Sequence, residues 1–210
     1  MNKNILYLIV ISALTVNATL CFSGEWSKNA VSLIDKIKTS RYIKIESPDR
    51  QKFLCINTSV EDRSTKLIMK SEEVELDPVM DLTEILWSSD SKAFSVTQSL
   101  GGAVGEWITD VYLIRSKDVK KINLGKEFNV TFNKKLQCSD SENVNVGFVS
   151  WLQKSQTALV LTEVPPHSTC KDMGKIVGYI IDFYNIKIIR VLNEKQIRLK
   201  YGKILGTRFN

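Results

Sequence analysis

The stretch LWSSDSKAFSVTQ, residues 86–98, returns in altered form as SWLQKSQTALVLT, residues 150–162. In both copies, a run of β-branched and aromatic residues is interrupted by a short polar segment typical of a turn, and a second such run follows. Each copy therefore predicts two antiparallel strands joined by a tight turn. The recurrence of the phrase predicts a repeated structural unit.

Three stretches of the chain share a longer plan around this phrase, and they span residues 42–77, 82–124 and 144–193. Each contains four short strand-like runs in which apolar and polar residues alternate, and turn residues separate the runs. This pattern predicts a four-stranded meander. One meander cannot bury its apolar faces alone, so we expect the three copies to be stacked.

The fold class that follows is mainly β: three stacked antiparallel four-stranded meanders, open and propeller-like or a sandwich, in one domain of residues 24–210. An N-terminal amphipathic helix is predicted by the apolar stripe Trp26, Ala30, Leu33, Ile34 and Ile37. A short C-terminal helix is predicted after Asn193 as a cap, with Gly206 as its stop. We expect both helices to cover sheet edges.

The turn phrase also carries a family resemblance. Ser47-Pro48-Asp49, the stretch from Trp87 to Lys92, and Trp151-Leu152-Gln153-Lys154 resemble the phrase W-S-P-D-G-K in blades of TolB-type bacterial envelope propellers and, more loosely, of WD-repeat proteins. This resemblance covers about a dozen residues of each unit and implies blade-like modules with an assembly role in the envelope. The uneven spacing of the units, and their number, depart from a closed ring.

Residues 1–23 predict a secretory signal peptide. They hold one lysine, an apolar run from Ile5 to Val16, and small or polar residues before Gly24. About twelve apolar residues are fewer than the roughly twenty that span a bilayer. We expect cleavage after Ser23, with Ala18 as the alternative, and a periplasmic or secreted protein with no membrane span after signal removal. A lipid anchor on Cys21 is a less favoured alternative.

The charge distribution gives no sign of a nucleic-acid partner. The chain has 29 Lys and Arg against 23 Asp and Glu, a net charge of +6 that falls to +5 when Lys3 is removed with the leader. Basic residues are spread along the chain and alternate with acidic ones, whereas nucleic-acid-binding proteins cluster them. The densest basic stretch, residues 187–208, is interleaved with apolar residues and is interpreted as core.

Cys138 and Cys170 are predicted to form a disulfide. If residues 143–151 and 157–164 pair around a turn at 153–156, cross-strand partners have numbers summing to about 308, and so do the two cysteines. Unpaired thiols, or a metal site with His167 and Asp172, are the alternatives. A second clear ligand pair is missing, so we expect no metal and no cofactor. Cys55 is predicted to be a buried strand residue.

No pattern of catalytic residues stands out. Ser89 and Lys92 match S-x-x-K, but they lie in a predicted turn, where that chemistry needs the start of a helix. His167 is the only histidine, and the glycines after residue 100 precede a strand where a nucleotide-binding fingerprint needs a helix. We therefore predict that the protein is not an enzyme.

Two connections are predicted to form a recognition surface, because equivalent connections of stacked repeats emerge on the same side. One precedes Trp107 in the second unit, and the other follows residue 163 in the third. The candidate binding residues are Leu100, Gly101, Gly102, Val104, Glu106, Trp107, Pro165, Pro166 and His167. The alternative interpretation is that Leu100, Val104 and Trp107 only cap the core.

The function predicted from the sequence is that of an exported, non-enzymatic β-rich protein that binds another macromolecule, expected to be a protein, in the envelope or outside the cell. An inhibitor or immunity protein fits this size and leader. The alternative is a structural or assembly component of the cell envelope, and an unrecognised hydrolase is a third, less favoured reading.

Overall fold

A computed structural model of the chain describes residues 25–70, 72–101, 106–116, 118–134, 143–165 and 168–209. Within these residues, thirteen strands form three antiparallel sheets, accompanied by three α-helices and one short 3-10 helix. The prediction of a mainly β protein with three antiparallel sheets is confirmed. The predicted leader, residues 1–23, lies outside the described residues.

Each sheet is a meander in which strands that follow one another in sequence are paired. The first sheet contains β2 (Tyr42–Glu46), β3 (Lys52–Asn57), β4 (Ser64–Met69) and β5 (Glu72–Leu76). The second contains β6 (Thr83–Trp87), β7 (Ala93–Ser99), β8 (Trp107–Arg115) and β9 (Asp118–Asn123), with the two-residue β1 (Val31–Ser32) added beside β6. The third contains β10 (Asn145–Gln153), β11 (Thr157–Glu163), β12 (Ile176–Asp182) and β13 (Lys187–Asn193).

Three apolar clusters show how the sheets pack. Leu54 and Leu67 of the first sheet share a cluster with Phe94 and Tyr112 of the second. The opposite face of the second sheet shares a cluster with the third; its members include Ala93, Val111, Phe148, Val160 and Tyr179. The outer face of the third sheet packs against residues near both ends of the described chain, among them Trp26, Ile197, Leu205 and Phe209.

The central strands are therefore buried on both faces, so buried residues, polar ones included, occupy consecutive positions in them. All seven residues of β7 are buried, and consecutive residues Ala93 and Phe94 belong to different clusters. In β11, Val160 faces the second sheet while Leu159 and Leu161 face the outer cover. All three clusters lie within residues 25–209.

The N-terminal amphipathic helix predicted from Trp26 to Ile37 is mostly absent, because only α1 (Ile34–Ile37) is helical. Ser27 forms an isolated antiparallel bridge with Leu205, and the Glu84 carboxylate accepts the backbone N–H groups of Trp26 and Ser27 at 2.9 and 3.2 Å. Contacts with residues distant in sequence thus hold Trp26 and Ser27, and the segment from Glu25 to Ser32 consists of the bridge, a turn and β1 where a helix was predicted.

The C-terminal helix is confirmed as α3 (Glu194–Tyr201), but it ends before the predicted stop at Gly206, and it packs on the outer face of the third sheet where an edge was predicted. Asn193 caps it with a capping box: its Oδ1 accepts the backbone N–H of Gln196, and the Gln196 side chain accepts the backbone N–H of Asn193. Ile197 packs so closely on Gly178 of β12 that a Cβ there would lie 2.9 Å from its Cγ1.

A helix between the second and third sheets was not predicted. This helix, α2 (Leu124–Asn133), buries Leu124, Phe128 and Phe132, which lie at i, i+4 and i+8 on one face. Asn129-Val130-Thr131 in its middle has low helix propensity, and that composition obscured the spacing. Burial of the two phenylalanines against the third sheet outweighs the poor local propensity.

The repeated turn phrase adopts one geometry in the first two sheets. Ser47 Oγ donates to Asp49 Oδ1 at 2.6 Å, and Ser88 Oγ donates to Asp90 Oδ1 at 2.7 Å. The third turn differs: its left-handed residue, Lys154, comes second in the turn closed by Gln156 N–H on Gln153 O. The loss of the phrase in the third unit is thus accompanied by a change of turn.

The three turns are also joined to one another. The backbone N–H of Asp49 donates to Ser91 Oγ at 3.0 Å, and Ser155 Oγ donates to Asp90 Oδ2 at 2.8 Å. Burial acts to raise the pKa of Asp90, but the hydrogen bonds from Ser88 and Ser155 outweigh burial and lower it. The phrase therefore lies at one end of the molecule, where it connects the turns of all three sheets.

Candidate functional site

The β7–β8 and β11–β12 connections meet at Asn145, the first residue of β10. Its Oδ1 accepts the backbone N–H of Trp107 at 3.0 Å, and its Nδ2 donates to Glu163 Oε2 at 3.2 Å. Trp107 begins β8 and Glu163 ends β11, so one buried amide joins the strand ends beside both connections. The structure thus brings together the ends of the two connections that the sequence predicted as a recognition surface.

The predicted binding residues differ in their exposure. The side chain of Leu100 is 49% exposed, Gly101 has φ of +90°, and Glu106 and Pro165 are half-buried. Gly102, Val104, Pro166 and His167 lie outside the described residues. Among the candidates that the structure describes, Leu100 is therefore the apolar side chain most available to a partner.

Trp107 is a core residue by its surroundings, because its side chain is only 4% exposed. Its ring meets the edge of the Trp26 ring at a centroid distance of 6.1 Å, and the Arg208 guanidinium lies 5.6 Å from its centroid. This placement agrees with the alternative interpretation, in which Trp107 caps the core. Replacing it would change the stability of the fold together with any binding.

A pocket of about 480 Å³ opens beside the β7–β8 connection, and Leu100, Glu106 and Trp107 line it. Its other walls come from Asp77, from β7, β8 and β9, from the whole length of α2, and from the residues at the start of β10. The volume lies in the range of small-molecule and side-chain pockets. The connection singled out from sequence therefore borders a concave site whose remaining residues the sequence did not indicate.

The floor of the pocket is a charged triad built around Asp110, whose side chain is almost completely buried. Asp110 accepts hydrogen bonds from Asn123 Nδ2 at 2.7 Å and from Lys121 Nζ at 2.9 Å, and Lys121 also pairs with Asp77. Burial acts to lower the pKa of Lys121, but the hydrogen bonds to both carboxylates outweigh it and raise this pKa well above the usual value. Lys121 therefore stays charged, and the triad of Asp77, Asp110 and Lys121 has a net charge of −1.

Asn123 connects this floor to the neighbouring helix. Its Nδ2 donates to Asp110, and its Oδ1 accepts the backbone N–H of Lys126 at 2.9 Å as the N-cap of α2. The first turn of α2 is therefore held against the pocket by the same side chain that satisfies the buried carboxylate. The sequence signal that could have found this arrangement is an asparagine at a strand end followed by Leu124, Phe128 and Phe132 at helical spacing.

Three polar side chains that line the pocket retain binding capacity. Gln98 accepts the backbone N–H of Met80 at 2.9 Å through Oε1, while its Nε2 has no hydrogen-bond partner among the described residues. Glu106 and Lys126 form no ion pair within the described part of the chain. The pocket thus offers an amide donor, a carboxylate and an ammonium group beside the apolar side chain of Leu100.

The cysteines and metal ligands are only partly described. Cys55, predicted to be buried, is a half-buried free thiol on the outer face of the first sheet, because none of the described elements packs on that face of β3. Cys170 is buried, and Cys138 lies outside the described residues, so their pairing stays a prediction. No group of three or more His, Cys, Asp or Glu is placed to hold a metal ion in the described ranges.

Comparison with known proteins gives no relative, since no protein-family model, curated protein or solved structure matches this chain. None of the helices in the described ranges has the length and apolar character needed to cross a membrane.

Proposed function

We propose that this protein is an exported, non-enzymatic binding protein that recognises another protein in the cell envelope or outside the cell. Its recognition surface is the end of the molecule where the β7–β8 connection borders the pocket. An inhibitor or immunity protein is one role that fits such a surface.

The observation that carries the proposal is the position of Leu100. This half-exposed leucine lies at the rim of a pocket that also contains Gln98 and Glu106, whose polar groups have capacity to bind. The floor beneath it is rigid, because Asp110, Lys121 and Asn123 satisfy one another. Binding residues on a connection supported by a rigid sheet are a common arrangement in recognition proteins.

The charges of the pocket indicate which side chain of a partner it accepts. Three carboxylates, Asp77, Asp110 and Glu106, face two ammonium groups, Lys121 and Lys126, which leaves a net charge of −1. An acidic side chain would be repelled, whereas an uncharged polar or a basic side chain fits. We therefore expect the partner to insert a residue of that kind.

The test begins with purification of the partner from the extracellular or periplasmic fraction and continues with affinity measurements on variants. Leu100→Ala is expected to weaken binding by about tenfold or more, because a rim leucine that contacts a partner loses that contact. Leu152→Ala is the matched control, since Leu152 is 39% exposed but lies on β10 near the opposite, turn-bearing end. Equal effects of the two substitutions, or none from Leu100→Ala, would overturn the proposal.

A structural component of the envelope is the second candidate, and the fold we propose for it is an open, propeller-like stack or sandwich of blade-like sheets. The TolB-like and WD-like turn phrase supports this reading, since its turns are hydrogen-bonded across the sheets. Such a component would tolerate Leu100→Ala. It would fail with Trp151→Ala, because that ring packs on Phe148 and donates to Leu86 O at 3.1 Å.

A hydrolase is the least favoured candidate. It would be established by turnover that a single polar substitution abolishes while the protein stays folded.

A further inference from the structure

The net positive charge of the protein is concentrated in one segment. Residues 187–208 contain seven Lys and Arg and one Glu, a net charge of +6, whereas residues 24–210 as a whole have +5, so the rest has −1. This segment forms β13 and α3, which follow one another at Asn193. The asymmetry makes the outer side of the third sheet the strongly cationic part of the molecule.

Two of the seven cations, Lys187 and Arg190, lie on β13, and the other five, in and after α3, fall into two groups. Arg198 pairs with Glu194 at 2.8 Å, and Arg208 pairs with Glu163, so their charges are used within the protein. Lys195, Lys200 and Lys203 are exposed and form no ion pair with the described residues. Their charges are therefore available to an external partner.

These three lysines surround an exposed leucine on α3. Leu199 is 78% exposed; Lys195 lies four residues before it on the helix, and Lys203 lies four residues after it, in the turn that follows α3. Helical backbone continues through Gly202, with φ of −51° and ψ of −31°. Ile197, on the opposite side, is buried against the third sheet, which fixes the orientation of the helix. We call Lys195, Leu199, Lys200 and Lys203 the basic face of α3.

We propose that the basic face of α3 docks the protein onto an anionic phospholipid surface. Lysines near such a surface are attracted by its negative potential, and an apolar side chain between them can enter the boundary between headgroups and acyl chains. The protein then lies on the membrane through a helix that is already folded. This docking is independent of the pocket and of the partner proposed above.

The chemistry of the face favours lipid over an acidic protein. All its free cations are lysines, whereas interfaces that pair with protein carboxylates favour the bidentate guanidinium of arginine. Leu199 projects from a helix that lies on the outside of the sheet, so it presents a protruding apolar group with cations around it. A bilayer surface can receive such a group at any point without a complementary cavity.

The proposal is tested with a chain that begins at Gly24, because the apolar run from Ile5 to Val16 would itself bind bilayers. Co-sedimentation is measured with vesicles of phosphatidylcholine alone and with phosphatidylcholine and phosphatidylglycerol in equal parts. We expect binding only to the vesicles that contain phosphatidylglycerol, and loss of binding at high salt. Each lysine of the basic face changed to Ala should weaken binding about fivefold, and Leu199→Ala should weaken it by a similar factor or more.

Matched controls separate the basic face from general charge and exposure. The triple variant Lys36→Ala, Lys120→Ala and Lys154→Ala removes as many positive charges as the basic face contains, but from exposed sites elsewhere in the chain. It should bind as the parent protein does. Val130→Ala, at an 81% exposed position on α2, is the control for Leu199→Ala. Absence of binding to anionic vesicles, or equal losses in the controls, would overturn the proposal, as would binding to polyglutamate in the absence of vesicle binding.

Discussion

At the scale of single residues, the close contact between Gly147 and Trp26 shows how far the packing depends on the absence of a side chain. A Cβ built on Gly147 would lie 1.8 Å from the Trp26 ring, which is completely buried. The ring also meets Phe209 at a centroid distance of 5.6 Å. Gly147 is thus the position on β10 that allows the N-terminal segment to lie on the third sheet.

Gly147→Ala should lower the free energy of unfolding by about 2–3 kcal/mol, because the ring must move out of a filled cluster. Gly125→Ala is the control: its Cβ would lie 3.5 Å from Asn123 Oδ1, an ordinary contact, and alanine in a helix gains up to about 0.5–1 kcal/mol. Urea denaturation of both variants measures these changes. Equal destabilisation of both would contradict the assigned role of Gly147.

Glu84 is the buried acid whose titration should influence stability. Glu84 is only 4% exposed, and its carboxylate accepts hydrogen bonds from the backbone N–H groups of Trp26 and Ser27. Burial raises the pKa of Glu84 to about 7, although the two backbone hydrogen bonds and Arg208 act in the opposite direction and Glu25 adds to the rise.

Because this folded-state pKa lies above the ordinary value of 4.5, the folded protein binds more protons than the unfolded chain between these pH values. The free energy of unfolding should therefore fall, by about 3 kcal/mol at most, as the pH rises from about 4.5 to about 7. Glu84→Gln removes the titrating group, so the difference in stability between parent and variant should change across this window and stay constant above it. Parallel pH profiles for the two proteins would contradict the prediction.

At the scale of elements, the turns of the repeated phrase contain strained backbone, because a residue other than glycine occupies a left-handed position in each. Arg50 in the β2–β3 turn and Ser91 in the β6–β7 turn have φ of +58° and +57°, a left-handed conformation that favours glycine. The phrase that they resemble has glycine at this place. The turns persist because Ser47 with Asp49, and Ser88 with Asp90, bind the backbone across the turn.

Arg50→Gly should raise the free energy of unfolding by about 1 kcal/mol, because glycine adopts this φ without the contact between Cβ and the carbonyl oxygen. Arg50→Ala is the matched control, since it removes the same charged side chain and keeps the Cβ. Thermal or urea denaturation distinguishes the two. A gain of equal size in the alanine variant would show that the side chain, and not the backbone, is the source.

At the scale of the whole molecule, the two ends of the described chain close the third sheet together. Lys28 N–H donates to Ile204 O, Gly206 N–H donates to Trp26 O, and Arg208 N–H donates to Glu25 O. These segments cover an apolar face that would otherwise be exposed. The second sheet joins the same arrangement through Glu84 and through β1.

The predicted disulfide belongs to this scale, since it would close a loop, residues 138–170, that contains the hairpin of β10 and β11. Peptide mapping without reduction is expected to give a Cys138–Cys170 link, while Cys55 is alkylated in the native protein because it is half-buried. Cys138→Ser should lower the free energy of unfolding by about 3–4 kcal/mol, because the unfolded chain gains conformational entropy when the disulfide is missing. A link that includes Cys55 would contradict the prediction.

Particular residues show which parts of the site could be predicted. Leu100 and Glu106 were identified because a glycine-rich connection between two strand runs is a local pattern, and the structure places both at a pocket. Asp110 and Lys121 were not, because they occupy alternating polar positions of strands, as solvent-facing residues do. Their pairing depends on the register between β8 and β9, which brings together residues eleven positions apart.

The sequence by itself determined the three meanders, the capped α3 and the approximate limits of each sheet, because strand alternation, turn chemistry and capping act over a few neighbouring residues. Only the tertiary structure decided that the segment from Glu25 to Ser32 is not helical, that α2 forms, and that charged side chains line the pocket beside Leu100. Each of these depends on partners far away in sequence: Glu84 for Trp26, Tyr179 for Phe132, and Asp77 for Lys121. Burial against such partners outweighs local preference, and no local pattern records it.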